Sequence, residues 1–310
     1  MTSLICGSLA FDTIMSFGGR FSEALLADQL HKINVSFLVP GLRREFGGCA
    51  GNIAYNLKLL NGDPLIMATI GQDGAPYLDR LQHLGISRRC IRTIEASYTA
   101  QAFITTDADS NQITAFHPGA MGLSHQNKVA DAGTVKLAII APDGREGMLQ
   151  HAKDCAEIGI PFVFDPGQGL PMFNGTELEH FIELATYVAV NDYEAELLTE
   201  RIGLSLENIA QRLSALVVTR GEQGAEIFAG GQRIDIPCVG VDQVIDPTGC
   251  GDAFRAGMLF GLTNGMDWVT TGRLASLMGA IKIGHQGGQN HAPSIAEIEE
   301  RFRNEFGYRF

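Results

Sequence analysis

The sequence has little positive charge, and this shortage excludes one large class of partners. Its 310 residues contain 23 Lys and Arg against 35 Asp and Glu, for a net charge of −12 at pH 7. Proteins that bind nucleic acid usually present a basic field to the phosphate backbone, so no nucleic acid partner is expected. A small anionic ligand is compatible with this charge, because backbone amides and a metal ion supply positive potential locally.

Paired cysteines and long hydrophobic runs are also lacking. The six cysteines are scattered without CxxC spacing, which indicates reduced thiols in a cytoplasmic protein rather than a disulfide framework. The first apolar run is broken by Asp12 and follows no basic region, so neither a signal peptide nor a membrane span is predicted. With 45% hydrophobic residues, the chain has enough apolar material for a large core.

Several catalytic motifs are missing as well. The sequence has no GxxxxGK[ST], no GxGxxG after a predicted strand, no GxSxG and no HExxH, and its eight histidines form no ligand-spaced cluster. P-loop, serine-hydrolase and zinc-protease functions therefore have no motif support. A dinucleotide oxidoreductase would suit an α/β pattern, but its fingerprint is absent.

The most informative stretch that is present reads Asp246-Pro-Thr-Gly-Cys-Gly-Asp-Ala-Phe254 and precedes an apolar helical pattern. Gly249 and Gly251 leave backbone N–H groups open to a phosphate, and the helix that begins there points its positive end at the same place. Asp252 then has two interpretations. It is a general base facing a phosphoryl group, or a carboxylate that stabilises the first turn of the helix.

Apolar runs and helical patterns alternate along the chain, which predicts an α/β fold with a mostly parallel sheet. Turn and cap signals separate these elements. Strands are expected at 3–10, 65–70, 137–141, 161–165, 187–190 and 216–219, with antiparallel strands at 225–228 and 233–239. Helices are expected at 53–60, 75–84, 145–158, 176–184, 253–262, 268–283 and 294–306.

Two β-rich segments interrupt this alternation. The first, 11–46, is irregular and aromatic with a strand expected at 34–39, and the second is a hairpin of 99–107 and 112–117. Together they predict a small β lid over the ligand side, inserted at about 12–46 and 98–120 of a single domain, 1–310. Phe103, Phe116 and His117 face the substrate or form the lid's own core.

Polar and small residues follow several predicted strands, at the edge where α/β sheets bind ligands. The run Gly47-Gly48-Cys49-Ala50-Gly51-Asn52 opens a helix and lets a ligand approach the backbone. Asn52 is a hydrogen-bonding group for a polyol or a helix cap, and Asp12 is a ligand for a substrate hydroxyl or a turn residue.

Oxygen ligands follow two further strands. Asp165 and the pair Asn191 and Glu194 suit Mg²⁺, which proteins usually bind partly through water. For Glu194 alone, a solvated carboxylate at a helix start is the other interpretation. A nucleotide is expected along the edge formed by residues 216–239.

The two glycine-rich motifs, in this order, resemble the signatures of the PfkB, or ribokinase-like, carbohydrate kinases, and the resemblance spans nearly the whole chain. The run 191–194 is similar to the family's NxxE element, and 219–224 to its TxGxxG segment. The resemblance implies a three-layer α/β/α core with a mostly parallel central sheet and a small β lid. It also implies ATP as the phosphoryl donor and a hydroxymethyl group as the acceptor.

The resemblance also implies roles for individual residues. Asp252 accepts the proton of the attacking hydroxyl, and the amides of Gly249, Cys250 and Gly251 form the anion hole. Glu194 binds Mg²⁺ through water. The remaining expected contacts are Asp12, Gly47, Gly48, Asn52 and Phe116 with the substrate, and Asn191, Thr219, Gly221 and Gly224 with the nucleotide.

The chain departs from the family at three places. Pro247 and Cys250 replace residues common in the signature, although neither change removes an amide of the anion hole. Many family members bind a monovalent cation such as K⁺ near this loop through backbone oxygens. The segment 284–290 departs from the family's pattern here.

The lid sequence 113–121 resembles the nucleoside-accepting branch of the family, which includes adenosine kinases. An aromatic lid suits stacking on a purine, so adenosine is the expected acceptor. The alternatives are a sugar kinase for ribose, fructose or a related sugar, and a nucleoside-binding regulatory module without chemistry. The expected partner is a small nucleoside or sugar, in a monomer or homodimer that binds neither nucleic acid nor membrane.

Overall fold

The computed structural model describes residues 1–24 and 35–310, in which the strands form two separate sheets. The strands are β1 (Thr2–Cys6), β2 (Ala10–Ser16), β3 (Gly41–Gly47), β4 (Asp63–Gly71), β5 (Ser87–Ile94), β6 (Ala100–Thr106), β7 (Gln112–His117), β8 (Leu137–Ile140), β9 (Phe162–Phe164), β10 (Tyr187–Asn191), β11 (Ala215–Thr219), β12 (Ala225–Ala229) and β13 (Gln232–Ile236). The larger sheet has the order β13-β12-β11-β10-β9-β8-β1-β4-β5, and the smaller one the order β3-β2-β6-β7.

The larger sheet is parallel from β5 to β11 and ends in the antiparallel strands β12 and β13. β1 lies between β4 and β8, so the chain builds the sheet first to one side of β1 and then to the other. Such a reversal opens a crevice at the carboxyl ends of the strands. The expected mostly parallel α/β sheet is confirmed.

Helices cover both faces of this sheet, because successive side chains of each strand point to opposite sides. Ile5 of β1 packs in one hydrophobic cluster, whereas its neighbours Leu4 and Cys6 pack in another. The helices in the described ranges are α1 (Phe21–Ala24), α2 (Cys49–Leu59), α3 (Ala75–His83), α4 (Arg145–Glu157), α5 (Gly175–Leu184), α6 (Asp192–Ile202), α7 (Leu206–Ala210), α8 (Cys250–Asn264), α9 (Trp268–Ile283) and α10 (Ile295–Phe306). α2, α3, α8 and α9 contribute to the first cluster, and α4 to α7 to the second. Within residues 1–24 and 35–310, no helix combines the length and hydropathy that a membrane span requires.

The smaller sheet consists of the two β segments that interrupt the alternation. β2 pairs with β6 in parallel, β3 flanks β2, and the hairpin of β6 and β7 forms as expected. The two insertions therefore pair with each other. Their interpretation as a lid over the ligand stays a prediction.

The first expected strand, 3–10, is wrong in its extent. The chain leaves the larger sheet after Cys6 and enters the smaller sheet at Ala10. Between the two, the amide of Gly7 donates to the carbonyl of Met67 and that of Ser8 to the carbonyl of Pro142. One apolar run thus contributes a strand to each of the two sheets, and hydropathy alone does not show where the first strand ends and the second begins.

The strand expected at 34–39 is also wrong. Residues 25–34 of the first insertion lie outside the described residues. Residues 35–39 are described and form no strand. The strand begins instead at Gly41, which pairs with Ser16. β3 carries the charges of Arg43, Arg44 and Glu45, which hide its strand character but suit the edge of a sheet.

Two helices begin earlier than expected. α2 starts at Cys49 and α8 at Cys250, so parts of both glycine-rich motifs are the first turns of helices. The helices α6 and α7 have no counterpart among the expected elements. Helix α6 starts at Asp192, which agrees with the helix start that was the other interpretation of Glu194.

Candidate active site

A cleft of about 860 Å³ opens at the carboxyl ends of the parallel strands. The ends of β1 and of β8 to β11 form its floor. The first turns of α2 and α8 form one wall, and residues of the smaller sheet line the side opposite the floor. Residues from both glycine-rich motifs line it, although they lie about two hundred positions apart in the sequence. The cleft is therefore the candidate active site.

Asp252 lies in the first turn of α8 and lines this cleft. Its Oδ2 accepts a 2.8 Å hydrogen bond from Nδ2 of Asn52. Burial raises the pKa of Asp252 to about 6, an effect that the hydrogen bond from Asn52 opposes. A carboxylate with this pKa is ionised at neutral pH and is a stronger base than an exposed aspartate.

Asn52 belongs to a chain of hydrogen bonds that ends on Asp252. Its Oδ1 accepts from Nε2 of Gln289, which also lies 2.9 Å from the hydroxyl of Tyr77. That hydroxyl donates to the carbonyl of Gly47. Sequence reasoning did not identify Gln289 or Tyr77, because nothing in the local pattern shows that they contact Asn52.

The anion cradle forms at the start of α8. Gly249 is the N-cap residue with φ of 79° and ψ of 5°, a left-handed conformation that favours glycine. Gly249 and Gly251 both line the cleft, and a Cβ added to Gly251 would meet no atom within 4 Å. The amide of Gly251, in the first helical turn, is thus available to an anion. The amide of Cys250, expected in the same role, instead donates to the carbonyl of Pro247 at 3.1 Å, and Cys250 does not line the cleft.

Asp12 and Gly48 lie on the lid side of the cleft. Burial first, then the charges of Glu45 and Asp246, raise the pKa of Asp12 to about 6. Gly48 has φ of 85°, and a Cβ there would lie 2.6 Å from backbone atoms of Ser8 and Ala10, so only glycine fits. Of the expected substrate residues, Gly47 alone does not line the cleft, and it contributes its carbonyl to Tyr77.

The strands of the smaller sheet present alternate residues to the cleft. Phe116 lines the cleft together with Thr114 from β7 and with Ile104 from β6. Phe103 and His117 occupy the alternate positions and are not among the lining residues. Phe116 is 49% exposed, so it has room to contact a ligand.

Asn191 and Glu194 line the cleft and cap α6. Oδ1 of Asn191 accepts from the amide of Glu194 at 2.7 Å, and Oε2 of Glu194 accepts from the amide of Asn191 at 2.8 Å. This capping box explains the spacing of the pair without a ligand. Burial and the charge of Asp165 raise the pKa of Glu194, so a cation bound beside it would stabilise its ionised form.

The donors fit a magnesium ion that keeps most of its water. In the ranges that the structure describes, no group of three or more His, Cys, Asp or Glu side chains could hold a metal. Mg²⁺ commonly binds through one or two carboxylates together with substrate phosphates. Glu194 and Asp165 both line the cleft and are the carboxylates that would take that role.

Arg255 and Asp165 form a buried ion pair at the cleft. Nη2 of Arg255 lies 3.1 Å from Oδ1 of Asp165, and the two side chains are 5% and 6% exposed. The charge of Asp165 raises the pKa of Asp252, whereas that of Arg255 lowers it. Arg255 was not identified from the sequence, although a charged residue inside the apolar helical run 253–262 was an available signal.

Asp143 is a further site residue that sequence reasoning missed. It lines the cleft, is 3% exposed, and burial raises its pKa to about 7. Its Oδ1 accepts from the amide of Gly144 at 2.8 Å. It lies three residues after the end of β8, so its position after a strand was the signal that pointed to it.

The expected nucleotide residues are only partly at the cleft. Thr219 and Asn191 line it, whereas Gly221 and Gly224 lie in the turn between β11 and β12, outside the lining. Their contact with a nucleotide stays a prediction.

Comparison with known proteins identifies the family of the chain. Residues 16–295 match the family described as pfkB family carbohydrate kinase. A nucleoside kinase of Methanocaldococcus jannaschii is 31% identical over 270 residues, which cover 86% of this chain and 89% of that protein.

Solved structures extend the similarity to the fold. A nucleoside kinase of Burkholderia thailandensis in complex with inosine is 58% identical, with a TM-score of 0.90 and coverage of 99% of each chain. The same kinase in complex with ADP-inosine is 59% identical, with a TM-score of 0.88 and coverage of 99% of this chain and 97% of that one. The fold is therefore the ribokinase-like α/β fold, and the chain belongs to the pfkB family of carbohydrate kinases.

Proposed function

We propose that this protein is an ATP-dependent kinase that phosphorylates the 5′-hydroxymethyl group of a nucleoside. The observation that carries the proposal is the position of Asp252, an ionisable carboxylate beside the open amides of α8 and hydrogen-bonded to Asn52. The similarity to a Burkholderia thailandensis nucleoside kinase that binds inosine supports a nucleoside acceptor. Adenosine is the first acceptor to test, with inosine beside it.

Each residue of the site has a separate role in phosphoryl transfer. Asp252 takes the proton of the attacking hydroxyl, and the amides of Gly249 and Gly251 receive the charge that develops on the transferred group. Asn52 holds the carboxylate in place. MgATP supplies the phosphoryl group, with Glu194 placed to contact the hydrated ion.

Substrate placement follows from the two walls of the cleft. Asp12, Gly48 and Asn52 lie where the sugar hydroxyls would bind, and Phe116 lies where a base would stack. Asn191 and Thr219 lie on the opposite side, toward the edge of the sheet that suits a nucleotide. The smaller sheet excludes water from the space between the bound nucleoside and the nucleotide.

The decisive experiment is a coupled ADP-release assay with MgATP. Adenosine, inosine, cytidine, ribose, fructose and fructose phosphates are compared by kcat/KM, and the product is identified as the 5′-monophosphate. We expect nucleosides to exceed free sugars. A preference for a sugar would establish the sugar-kinase alternative, and nucleoside binding without ATP consumption would establish a regulatory module.

A further inference from the structure

Lys282 is a fully buried lysine near the end of α9, outside the cleft lining. Its Nζ donates to the carbonyl of Asp246 at 2.7 Å and to the carbonyl of His285 at 2.9 Å. In residues 1–24 and 35–310, these backbone oxygens are its only hydrogen-bond partners, and no carboxylate pairs with it. A buried ammonium without a carboxylate is unfavourable, so its presence at this position calls for a role.

The ammonium joins the two segments that support the anion cradle. The amides of Ile245 and Asp246 both donate to the carbonyl of Ile283, at 2.9 and 3.1 Å. The carboxylate of Asp246 accepts from the amide of Gly287 at 2.8 Å and from that of Thr248 at 2.9 Å. Lys282 therefore sits where the start of the cradle loop is bound to the chain that follows α9.

The surroundings of Nζ attract a cation. It lies at the carboxyl end of a helix, where the helix dipole is negative, and it faces backbone oxygens. Burial lowers the pKa of Lys282, while the nearby Cys250 and Asp246 oppose that shift. Carbonyl oxygens that converge in this way are also the ligands that bind K⁺ in proteins.

A bound monovalent cation, which the family resemblance implies near this loop, does not fit the residues present. The carbonyl of Asp246 is already directed at Nζ of Lys282, and so is the carbonyl of His285 in the divergent segment 284–290. An alkylammonium group has the same single charge as K⁺ and donates directly to these oxygens.

We propose that Lys282 is a built-in cation that takes the place of a bound monovalent cation in positioning the 246–252 cradle. The kinase then does not require K⁺. Lys282 touches neither substrate in this arrangement, so it is a positioning residue that acts through the backbone of Asp246. The proposal rests on the kinase function proposed above.

The first test uses the wild-type protein with MgATP and its best acceptor, in KCl, NaCl or choline chloride at equal ionic strength. We expect kcat and the melting temperature to agree among the three salts, kcat within about twofold. Activation by K⁺ of tenfold or more, relative to choline, would overturn the proposal. If no acceptor is phosphorylated, the kinase function fails, whereas the melting series still tests whether K⁺ binds.

Two substitutions make the test specific. Lys282→Ala removes the ammonium and leaves space, and Lys282→Met fills the space without charge. We expect kcat in choline to fall by about 100-fold in both, as a displacement of about 1 Å in a catalytic site does. Added K⁺ or ammonium should restore activity and raise the melting temperature of the alanine variant, through binding to the folded state. The methionine variant should respond to neither ion.

The control is Lys136→Ala, which removes a lysine that donates to the carbonyl of Thr263 near the other end of α8. It should leave kcat unchanged in every salt. Near wild-type activity of Lys282→Met would contradict the proposal. It would also be contradicted if Lys282→Ala were folded and slow, but neither its rate nor its melting temperature changed on addition of K⁺ or ammonium. If neither variant folds, the wild-type salt series still decides.

Discussion

Replacing Asp252 with asparagine tests the assignment of the general base. The substitution keeps the size of the side chain and an oxygen that accepts from Nδ2 of Asn52, but it removes the proton acceptor. General base catalysis contributes about 10²- to 10⁴-fold, so kcat should fall by that factor, which corresponds to about 3–5 kcal/mol of activation free energy. The dissociation constant of the nucleoside, measured by calorimetry, should change little.

The pH dependence gives the same residue a second, independent signature. Burial raises the pKa of Asp252 to about 6, and only the ionised form accepts a proton. At pH 5 about one tenth of the wild-type enzyme is then active, and kcat/KM should fall about tenfold for each further pH unit. The residual activity of Asp252→Asn should lack this acid limb.

A variant of Asp12 is the matched control for this pH profile, because burial raises the pKa of Asp12 to about 6 as well. Asp12→Asn removes that carboxylate but leaves Asp252 intact, so it should raise KM and keep the acid limb of kcat/KM. The reasoning is refuted if Asp252→Asn keeps more than about a tenth of wild-type kcat, or if the limb disappears with Asp12 instead.

Three further predictions concern the surroundings of the base. Gln289→Leu leaves Oδ1 of Asn52 without its donor and should lower kcat about tenfold, with the nucleoside KM nearly unchanged, in steady-state assays; an unchanged kcat contradicts this. Glu194→Gln should raise the Mg²⁺ concentration needed for half-maximal rate at fixed ATP, whereas an unchanged requirement would reduce Glu194 to its capping role. Asp143 has its pKa raised to about 7 in the folded state, so its ionisation destabilises the fold as pH rises from about 4 to 7. Asp143→Asn should therefore raise the melting temperature at pH 8 and have little effect near pH 4, in thermal scans; a loss of stability at pH 8 would contradict this.

Local patterns predicted much of the fold. The alternation of apolar runs and helical patterns predicted the parallel sheet, and the hairpin of β6 and β7 was expected with nearly its observed bounds. Charged β3 was missed, because an edge strand has no strict need of apolar residues on both faces. Its identity as a strand comes from pairing with β2, which no local pattern shows.

The residues of the candidate site likewise fall into those that local patterns predicted and those that they did not. The motifs that contain Asn52 and Asp252 were recognisable because each depends on glycines beside a helix start, a local requirement. The neighbours of these residues were not, since Gln289 is 237 positions from Asn52 and Arg255 pairs with a residue 90 positions away. Contacts at such separations depend on the topology of the sheet.

The sequence by itself determined the α/β alternation, the two glycine-rich motifs and the family to which they belong, because these features rest on neighbouring residues. Only the tertiary structure decided the protonation behaviour of Asp252, the burial of Glu194 in the cleft and the position of Lys282 beside the cradle. Burial and long-range hydrogen bonds set those properties, and both exist only once distant segments have packed together.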